Sequence, residues 1–294
     1  MRTKLNLEMK DPMRARDDKL SYCLFRISEK EAIMAFQRQF EDKVIAITGA
    51  ASGIALATAH LLASRGAKLS LVDVSADALT KHAEEIKTKY STDVISFPVD
   101  VRDYSKVEDW IEQTKKHFGK LDGAANLAGV IPKSIGLKGV DEQDLEEWDF
   151  VTGINLNGVM HCMRAQLRSI QDGGALVNAS SVAGLTGRQN NAAYAASKHG
   201  VLGLTRSAAK EVGVRNVRVN CICPGRIETP MVRTADQITG EDSKEKGIML
   251  SENGVALRRG GQPEEVAKLI AFLLSDESSY ITGAAITIDG GWIC

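Results

Sequence analysis

Tyr194 and Lys198 stand four positions apart in the stretch NAAYAASKHG, which otherwise contains mostly small residues. On a helix this spacing places two side chains on one face, about 5 to 6 Å apart. A phenol of pKa near 10 is a poor base at neutral pH, and lowering that pKa by about three units requires roughly 4 kcal/mol. An ammonium about 4 Å away supplies about 1 kcal/mol in water but about 4 kcal/mol at a protein-like dielectric. The pair therefore predicts a sheltered cleft where a tyrosine exchanges a proton with an alcohol or carbonyl oxygen.

A tyrosine and a lysine at this spacing can also arise by chance on an amphipathic helix. Two further polar residues favour the chemical interpretation. Ser181 lies thirteen positions before Tyr194, at the end of a predicted strand, where its hydroxyl can bond the same substrate oxygen. Asn155 falls inside a predicted helix, where asparagine has poor propensity, so its presence indicates a polar role facing inward.

An alternation of strands and helices from Lys43 onward must position these residues. Short β-branched runs such as KVIAIT alternate with amphipathic stretches such as ADALTKHAEEIKTKY, and a long helical region is predicted from about 141 to 170. Strands separated by helices imply right-handed parallel crossovers. We therefore predict an α/β fold with a single-domain doubly wound parallel sheet, a Rossmann fold of three layers, α/β/α. Ligands of such sheets bind beyond the carboxyl ends of the strands.

The first predicted strand runs through the loop TGAASGIA into a helix. Gly49 and Gly53 permit a tight turn and a close approach to a pyrophosphate at the helix N-terminus. Asp73 follows Gly53 by twenty residues, where a carboxylate accepts hydrogen bonds from ribose hydroxyls and repels a 2′-phosphate. Its neighbours Ser52 and Val74 carry no cation for that phosphate. The loop predicts NAD rather than NADP; a solvated, helix-capping Asp73 is the alternative.

From about Phe40 to the C-terminus, the chain resembles the short-chain dehydrogenase/reductase family, and in particular its fungal secondary-metabolite members. The family motif TGxxxGxG is matched at Thr48, Gly49 and Gly53. Ala55 replaces the last glycine, so we expect weakened but not abolished cofactor binding. The family's NNAG motif corresponds to NLAG, in which Leu127 removes one polar partner of that loop.

This resemblance also implies the residues of the site. The cofactor-binding residues would be Gly49, Ser52, Gly53, Ile54, Asp73, Asp100, Val101, Asn126, Ala128, Gly129, Tyr194, Lys198, Pro224, Gly225, Ile227 and Thr229. The catalytic tetrad would be Asn155, Ser181, Tyr194 and Lys198. In it, Tyr194 is the acid/base and Ser181 polarises the substrate oxygen. Lys198 lowers the tyrosine pKa and binds the nicotinamide ribose, while Asn155 holds a water that connects Lys198 to solvent.

Residues 226–262 are long and glycine-punctuated, as expected of a lid over the substrate. Its apolar residues could line a cavity or form the lid's own packing: Met231, Val232, Ile248, Met249 and Leu250. The segments IPKSIGLKG and LTGRQNN are expected to form other walls. We expect a small-molecule substrate, a bulky hydrophobic secondary alcohol or ketone.

The composition excludes other classes of partner. A formal net charge of -1 gives no electrostatic reason to expect nucleic acid or an anionic membrane. No apolar run approaches the roughly eighteen residues of a spanning helix, and the five scattered cysteines are typical of reduced thiols, so a soluble, cytoplasmic protein with no metal is expected. Residues 1–39 are interpreted as an extension, disordered or a partly ordered arm, with residues upstream of Met34 dispensable, and 40–294 as one domain.

Three functions remain open at this stage. The leading one is NAD-dependent oxidation of a secondary alcohol, or its reverse. The others are a dehydratase or epimerase that uses the same residues, and a catalytically idle dinucleotide-binding protein. Family members commonly pair through two long helices, here around residues 145–170 and 192–213, which implies a homodimer or homotetramer. The exact substrate, the direction and the stereochemistry stay undetermined.

Overall fold

The computed structural model describes residues 38–240 and 254–294. Its strands form one seven-stranded parallel sheet in the order β3-β2-β1-β4-β5-β6-β7. They are β1 Val44–Thr48, β2 Lys68–Asp73, β3 Val94–Pro98, β4 Gly123–Asn126, β5 Ala175–Ala179, β6 Arg218–Pro224 and β7 Ala285–Ile288. The strand order reverses between β1 and β4, which creates a crevice at their carboxyl ends. The predicted doubly wound fold is confirmed.

The helices that flank this sheet follow the predicted pattern closely. They are α1 Gly53–Ser64, α2 Ala76–Tyr90, α3 Tyr104–Phe118, α4 Leu145–Thr152, α5 Val159–Ser169, α6 Ala192–Val212, α7 Pro230–Thr239 and α8 Pro263–Leu274. The long predicted helical region is interrupted, because a π-helical segment, Gly153–Gly158, separates α4 from α5. Such insertions are frequent at functional sites.

Helix α7 lies within residues 226–262, the segment predicted to form a lid, for which no helix was predicted. Its start and stop signals were present in the sequence. Thr229 caps the first turn by accepting a hydrogen bond from the Val232 N–H, Pro230 occupies the first turn, and Gly240 ends the helix with a φ of 71°. Residues 241–253 of the predicted lid and the predicted N-terminal arm through residue 37 lie outside the described residues.

Apolar side chains cover both faces of the sheet. One core joins α1, α2 and α8 to the sheet through residues such as Leu62, Ile86 and Ile270. The other joins α3, α5 and α6 through residues such as Trp110 and Val201. Because both faces are buried, the strands read as nearly continuous apolar runs. Within the described residues, no helix is long and apolar enough to cross a membrane.

Candidate active site

A cleft of about 480 Å³ opens at the carboxyl ends of β1 to β4. Ten predicted cofactor-binding residues line it: Gly49, Ser52, Gly53, Ile54, Asp73, Asp100, Val101, Ala128, Gly129 and Thr229. Ala55 and Leu127, where the chain departs from the family motifs, also line it. The sequence prediction and the position of the sheet crevice therefore coincide.

The glycine loop after β1 packs directly against the loop after β4. Thr48 Oγ1 accepts hydrogen bonds from the backbone N–H groups of Leu127 and Ala128, both at 3.0 Å. Gly49 has a φ of 72°, and a Cβ added there would lie 2.9 Å from the Ala128 Cα. Only glycine fits this backbone without strain. The two loops therefore form one continuous backbone surface along the cleft.

The N-terminus of α1 faces this surface and can receive an anion. Its N-cap, Ser52, is extended, and its side chain makes no capping hydrogen bond within the described part of the chain. The first N–H groups of a helix need an acceptor and carry partial positive charge. A Cβ on Gly53 would come within 3.4 Å of the Thr229 methyl group, so the glycine also keeps the passage between α1 and α7 open. This cradle fits the pyrophosphate of a dinucleotide.

The carboxylate of Asp73 organises the neighbouring turn. It accepts hydrogen bonds from the Ala51 N–H at 3.1 Å and the Ser75 N–H at 2.9 Å. Each carboxylate oxygen has two lone-pair sites, so both retain capacity for a hydroxyl donor. Asp73 therefore does fix the backbone just before α2, as the helix-capping alternative proposed. It also lines the cleft.

Arg102 is a cation in this cleft that the sequence patterns did not predict. Its Nε and Nη2 donate to both oxygens of Asp100 at 2.6 to 3.1 Å. Its guanidinium carbon lies 5.2 Å from the centre of the Phe150 ring, and both residues line the cleft. The hydrogen-bonded guanidinium lowers the pKa of Asp100 from its ordinary value. Only the position of Arg102 two residues after Asp100 signalled this arrangement in the sequence.

In the described part of the chain, several of the predicted cofactor-binding residues lie beside the cleft and are not part of its lining. The buried side chain of Asn126 exchanges hydrogen bonds with Gln166, both at 2.9 Å, and donates to Asn178. Its amide therefore braces β4 from within the core. The Gly225 N–H donates to the Ile288 carbonyl at 3.1 Å. Ile227 is buried in the core and follows Pro224 into the loop before α7.

The four predicted tetrad residues converge beyond the ends of β4 and β5. The Lys198 ammonium donates to the Ala179 carbonyl at 2.9 Å and lies 5.5 Å from the Tyr194 ring centre. A hydrogen bond links the Tyr194 and Ser181 side chains. Asn155, fully buried in the π-helical segment, accepts from the Val130 N–H at 2.8 Å and donates to the Val130 carbonyl at 2.9 Å.

Gly129 joins the tetrad to the cleft. It lines the cleft, and a Cβ added to it would lie 3.2 Å from Asn155 Oδ1 and 3.4 Å from Lys198 Nζ. Asn155 and Lys198 therefore lie beside the part of the cleft that Gly129 lines. Asp100 and Arg102, on the loop after β3, also line the cleft.

Burial dominates the electrostatics of the Tyr194 and Lys198 pair. It raises the pKa of Tyr194 above its usual value, and the hydrogen bond with Ser181 only partly opposes this effect. Burial also lowers the pKa of Lys198 to about 8. The net shift of the Tyr194 pKa in the protein alone is therefore upward, because desolvation disfavours the charged form of a buried group. That Lys198 lowers this pKa once an oxidised nicotinamide adds positive charge stays a prediction.

The lid helix α7 is fixed to the end of β6 by a buried ion pair. Both guanidinium Nη atoms of Arg226 donate to the Asp236 carboxylate, at 2.8 and 2.6 Å. Met231, at the start of α7, lines the cleft, which agrees with the predicted apolar wall. The other predicted apolar lid residues from 248 to 250 lie outside the described residues.

The two other predicted walls meet each other. The Gly136 N–H donates to the Asn190 carbonyl at 2.9 Å, and the Asn190 amide donates to the Gly136 carbonyl at 3.1 Å. These bonds join the segment after β4 to the segment before α6. A second cavity of about 550 Å³ lies between the former segment and α4.

Comparison with known proteins gives a consistent result. A family model described as Enoyl-(Acyl carrier protein) reductase matches residues 49–293. Short-chain dehydrogenase/reductase aba4 of Botryotinia fuckeliana is 56% identical over 255 residues, which cover 87% of this chain and 98% of that protein. Cyclohexanol dehydrogenase of an Acinetobacter species is 36% identical, covering 89% and 98%. The crystal structure of levodione reductase superposes with a TM-score of 0.80 at 39% identity, covering 86% of this chain and 98% of that one.

Proposed function

This chain belongs to the short-chain dehydrogenase/reductase family, and we propose that it uses NAD to interconvert a hydrophobic secondary alcohol and the corresponding ketone. Enzymes of this family are oxidoreductases that use nicotinamide dinucleotides. The observation that supports the proposal most strongly is the position of Gly129, which lines the cleft and lies so close to the tetrad that an added Cβ would be 3.4 Å from Lys198 Nζ. This reaction needs a proton-transfer group at the substrate oxygen and a hydride carrier at the carbon that bears this oxygen.

The cleft residues would hold two parts of the cofactor. Gly49, Gly53 and the N-terminus of α1 would hold the pyrophosphate, and Asp73 would hold the adenosine ribose. When bound, the dinucleotide supplies or accepts the hydride. Asp73 favours NAD, because its carboxylate accepts hydrogen bonds from ribose hydroxyls and repels a 2′-phosphate.

Tyr194 exchanges the proton in this proposal. In reduction, its hydroxyl donates a proton to the carbonyl oxygen, and in oxidation the phenolate receives the alcohol proton. Ser181 donates a hydrogen bond to the same oxygen and polarises it. Since burial raises the Tyr194 pKa, ionisation depends on positive charge close to the ring, and Lys198 provides it when protonated. Asn155 positions the loop at Val130 and so the wall beside Lys198.

A small set of exposed apolar residues supports the proposed homodimer or homotetramer. Leu145 and Met160 lie on α4 and α5 and are 76% and 38% exposed in the single chain. Burial of such side chains in an interface is favourable. Light scattering of the purified protein tests this assembly.

The activity is tested with the purified chain, NAD or NADP, and a panel of hydrophobic secondary alcohols that includes cyclohexanol. Nicotinamide absorbance reports the redox reaction. We expect turnover with NAD and a kcat/KM with NADP lower by about tenfold or more, as expected from one unfavourable charge contact. Substrate conversion without an absorbance change would instead support a dehydratase or epimerase.

The variant Asp73→Ser tests the cofactor preference directly. It removes the charge that opposes a 2′-phosphate, so the NAD to NADP ratio of kcat/KM should fall. Asp77→Ser is the matched control, because Asp77 is an exposed acid in the first turn of α2. Equal use of NAD and NADP by the unmodified chain would contradict the proposed preference.

A further inference from the structure

Arg102 connects two walls of the cleft, the loop after β3 and helix α4. Its guanidinium binds Asp100 on the loop after β3, while its guanidinium carbon lies 5.2 Å from the ring centre of Phe150 on α4. A Cβ added to Gly153, at the start of the π-helical segment, would lie 3.6 Å from the Arg102 Cδ. The aliphatic part of the Arg102 side chain therefore packs against Gly153. The Arg102 side chain is 47% exposed, and the Asp100 side chain is 32% exposed.

The Asp100–Arg102 pair presents both an acceptor and a donor. Nε and Nη2 of Arg102 form the fork to the carboxylate, and Nη1 stands outside that fork. A carboxylate has about four lone-pair sites and accepts only, whereas a guanidinium donates only. A ligand can therefore place a hydrogen-bond donor against Asp100 or a hydrogen-bond acceptor against Arg102.

This inference rests on the proposed function, in which the family resemblance puts Asp100 on the adenine side of the dinucleotide and so places the purine beside this pair. Adenine presents a 6-amino donor beside the N1 acceptor, and hypoxanthine presents a 6-oxo acceptor beside an N1–H donor. We infer that Arg102 is a specificity-determining residue for the purine base, which lets the cleft accept 6-amino and 6-oxo dinucleotides with similar affinity. Where the 6-amino group of the base meets Asp100, a 6-oxo group in the same position would meet negative charge, so Asp100 alone would favour the 6-amino base.

The variant Arg102→Ala separates this role from a merely structural one. The backbone N–H of residue 102 also donates to Asp100 Oδ1, at 2.9 Å, and this bond does not depend on the side chain. Asp100 therefore stays held while the guanidinium is lost. The experiment is isothermal titration calorimetry of the full chain with NAD and with nicotinamide hypoxanthine dinucleotide, which measures binding without turnover.

We expect the unmodified chain to bind both dinucleotides with dissociation constants within about threefold. In Arg102→Ala, the constant for the hypoxanthine form should rise about tenfold more than that for NAD, as expected for one lost charged hydrogen bond. Arg102→Lys, which keeps one donor without the fork, should give an intermediate ratio. Arg164→Ala is the matched control, since Arg164 and Glu108 form a pair of similar exposure, 43% and 35%, outside the cleft.

Two outcomes would overturn the inference while leaving the proposed function intact. One is an equal loss of affinity for both dinucleotides in Arg102→Ala, which indicates a structural role only. The other is a preference of tenfold or more for NAD in the unmodified chain. If the unmodified chain binds neither dinucleotide, the proposed function itself fails, and this inference fails with it.

Discussion

Lys198 Nζ lies 5.5 Å from the centre of the Tyr194 ring while it donates a hydrogen bond to the Ala179 carbonyl at 2.9 Å. The lysine is therefore anchored to the end of β5 and remains beside the phenol. Burial disfavours the charged form of both side chains in the protein alone. Charge separation in this pair thus depends on what enters the cleft, since an anionic ligand raises a lysine pKa and a cationic one lowers a tyrosine pKa.

Tyr194→Phe should lower kcat by about 10²- to 10⁴-fold, because it removes the proton donor and acceptor and keeps the ring. The dissociation constant for NAD, measured by calorimetry, should stay within about threefold of the unmodified value. Tyr280→Phe serves as the control, since Tyr280 is fully exposed, and its kcat should not change. Retention of a tenth or more of the activity in Tyr194→Phe would contradict the assigned role.

Because of Lys198, the free energy of unfolding should vary with pH in the alkaline range. Its pKa in the folded chain is about 8, against an ordinary value of 10.5, so the unfolded chain binds more protons between these values. The contribution of this group to the free energy of unfolding therefore rises as pH increases from about 8 to 10.5 and is lost as pH falls. The full change is about 3 kcal/mol for a buried group.

Urea unfolding of the unmodified chain and of Lys198→Met at several pH values measures this effect. The difference in free energy of unfolding between the two proteins should rise in favour of the unmodified chain across that range. Comparing the two proteins cancels the titration of buried thiols such as Cys162, whose pKa burial raises to about 12. A difference that does not vary with pH would show that Lys198 has an ordinary pKa.

Gly49→Ala should damage both stability and cofactor binding. The added methyl group requires an unfavourable φ of 72° and meets the Ala128 Cα at 2.9 Å. Gly119→Ala is the matched control, because its φ is 79° and an added Cβ has nothing within 4 Å. The control should lose about 1 kcal/mol of unfolding free energy, and Gly49→Ala should lose at least about 1 kcal/mol more. Equal losses, with unchanged affinity for NAD, would contradict the close packing of the two loops.

Asp236→Ala should destabilise the protein by about 3 kcal/mol, because it leaves a buried guanidinium without its main partner. The side chains of Arg226 and Asp236 are only 6% and 4% exposed. Glu228, 3.4 Å from Arg226 Nε, offsets part of the loss. Urea unfolding measures the change, with Lys81→Ala, which breaks an exposed pair with Glu85, as the control. A loss no larger than that of the control would show that the ion pair does not fix α7.

Local patterns in the sequence were enough to predict the alternation of strands and helices and most of the site. The glycine loop, Asp73 and the spacing of Ser181, Tyr194 and Lys198 depend on backbone geometry within one or two elements. Parallel strands bring their carboxyl ends to one edge of the sheet, so polar residues at strand ends could be grouped without coordinates. The helix α7 could also have been predicted, because its cap and its proline lie in adjacent positions.

Other features depended on contacts between residues distant in the chain. The sequence did not indicate that the Asn126 amide braces the core against Gln166, or that Arg102 spans from Asp100 to Phe150. It also did not indicate that burial raises the Tyr194 pKa in the protein alone. A charge–charge attraction can be anticipated from the spacing of two residues on one helix. The opposing desolvation depends on every atom that surrounds them, and only the tertiary structure determines that surrounding.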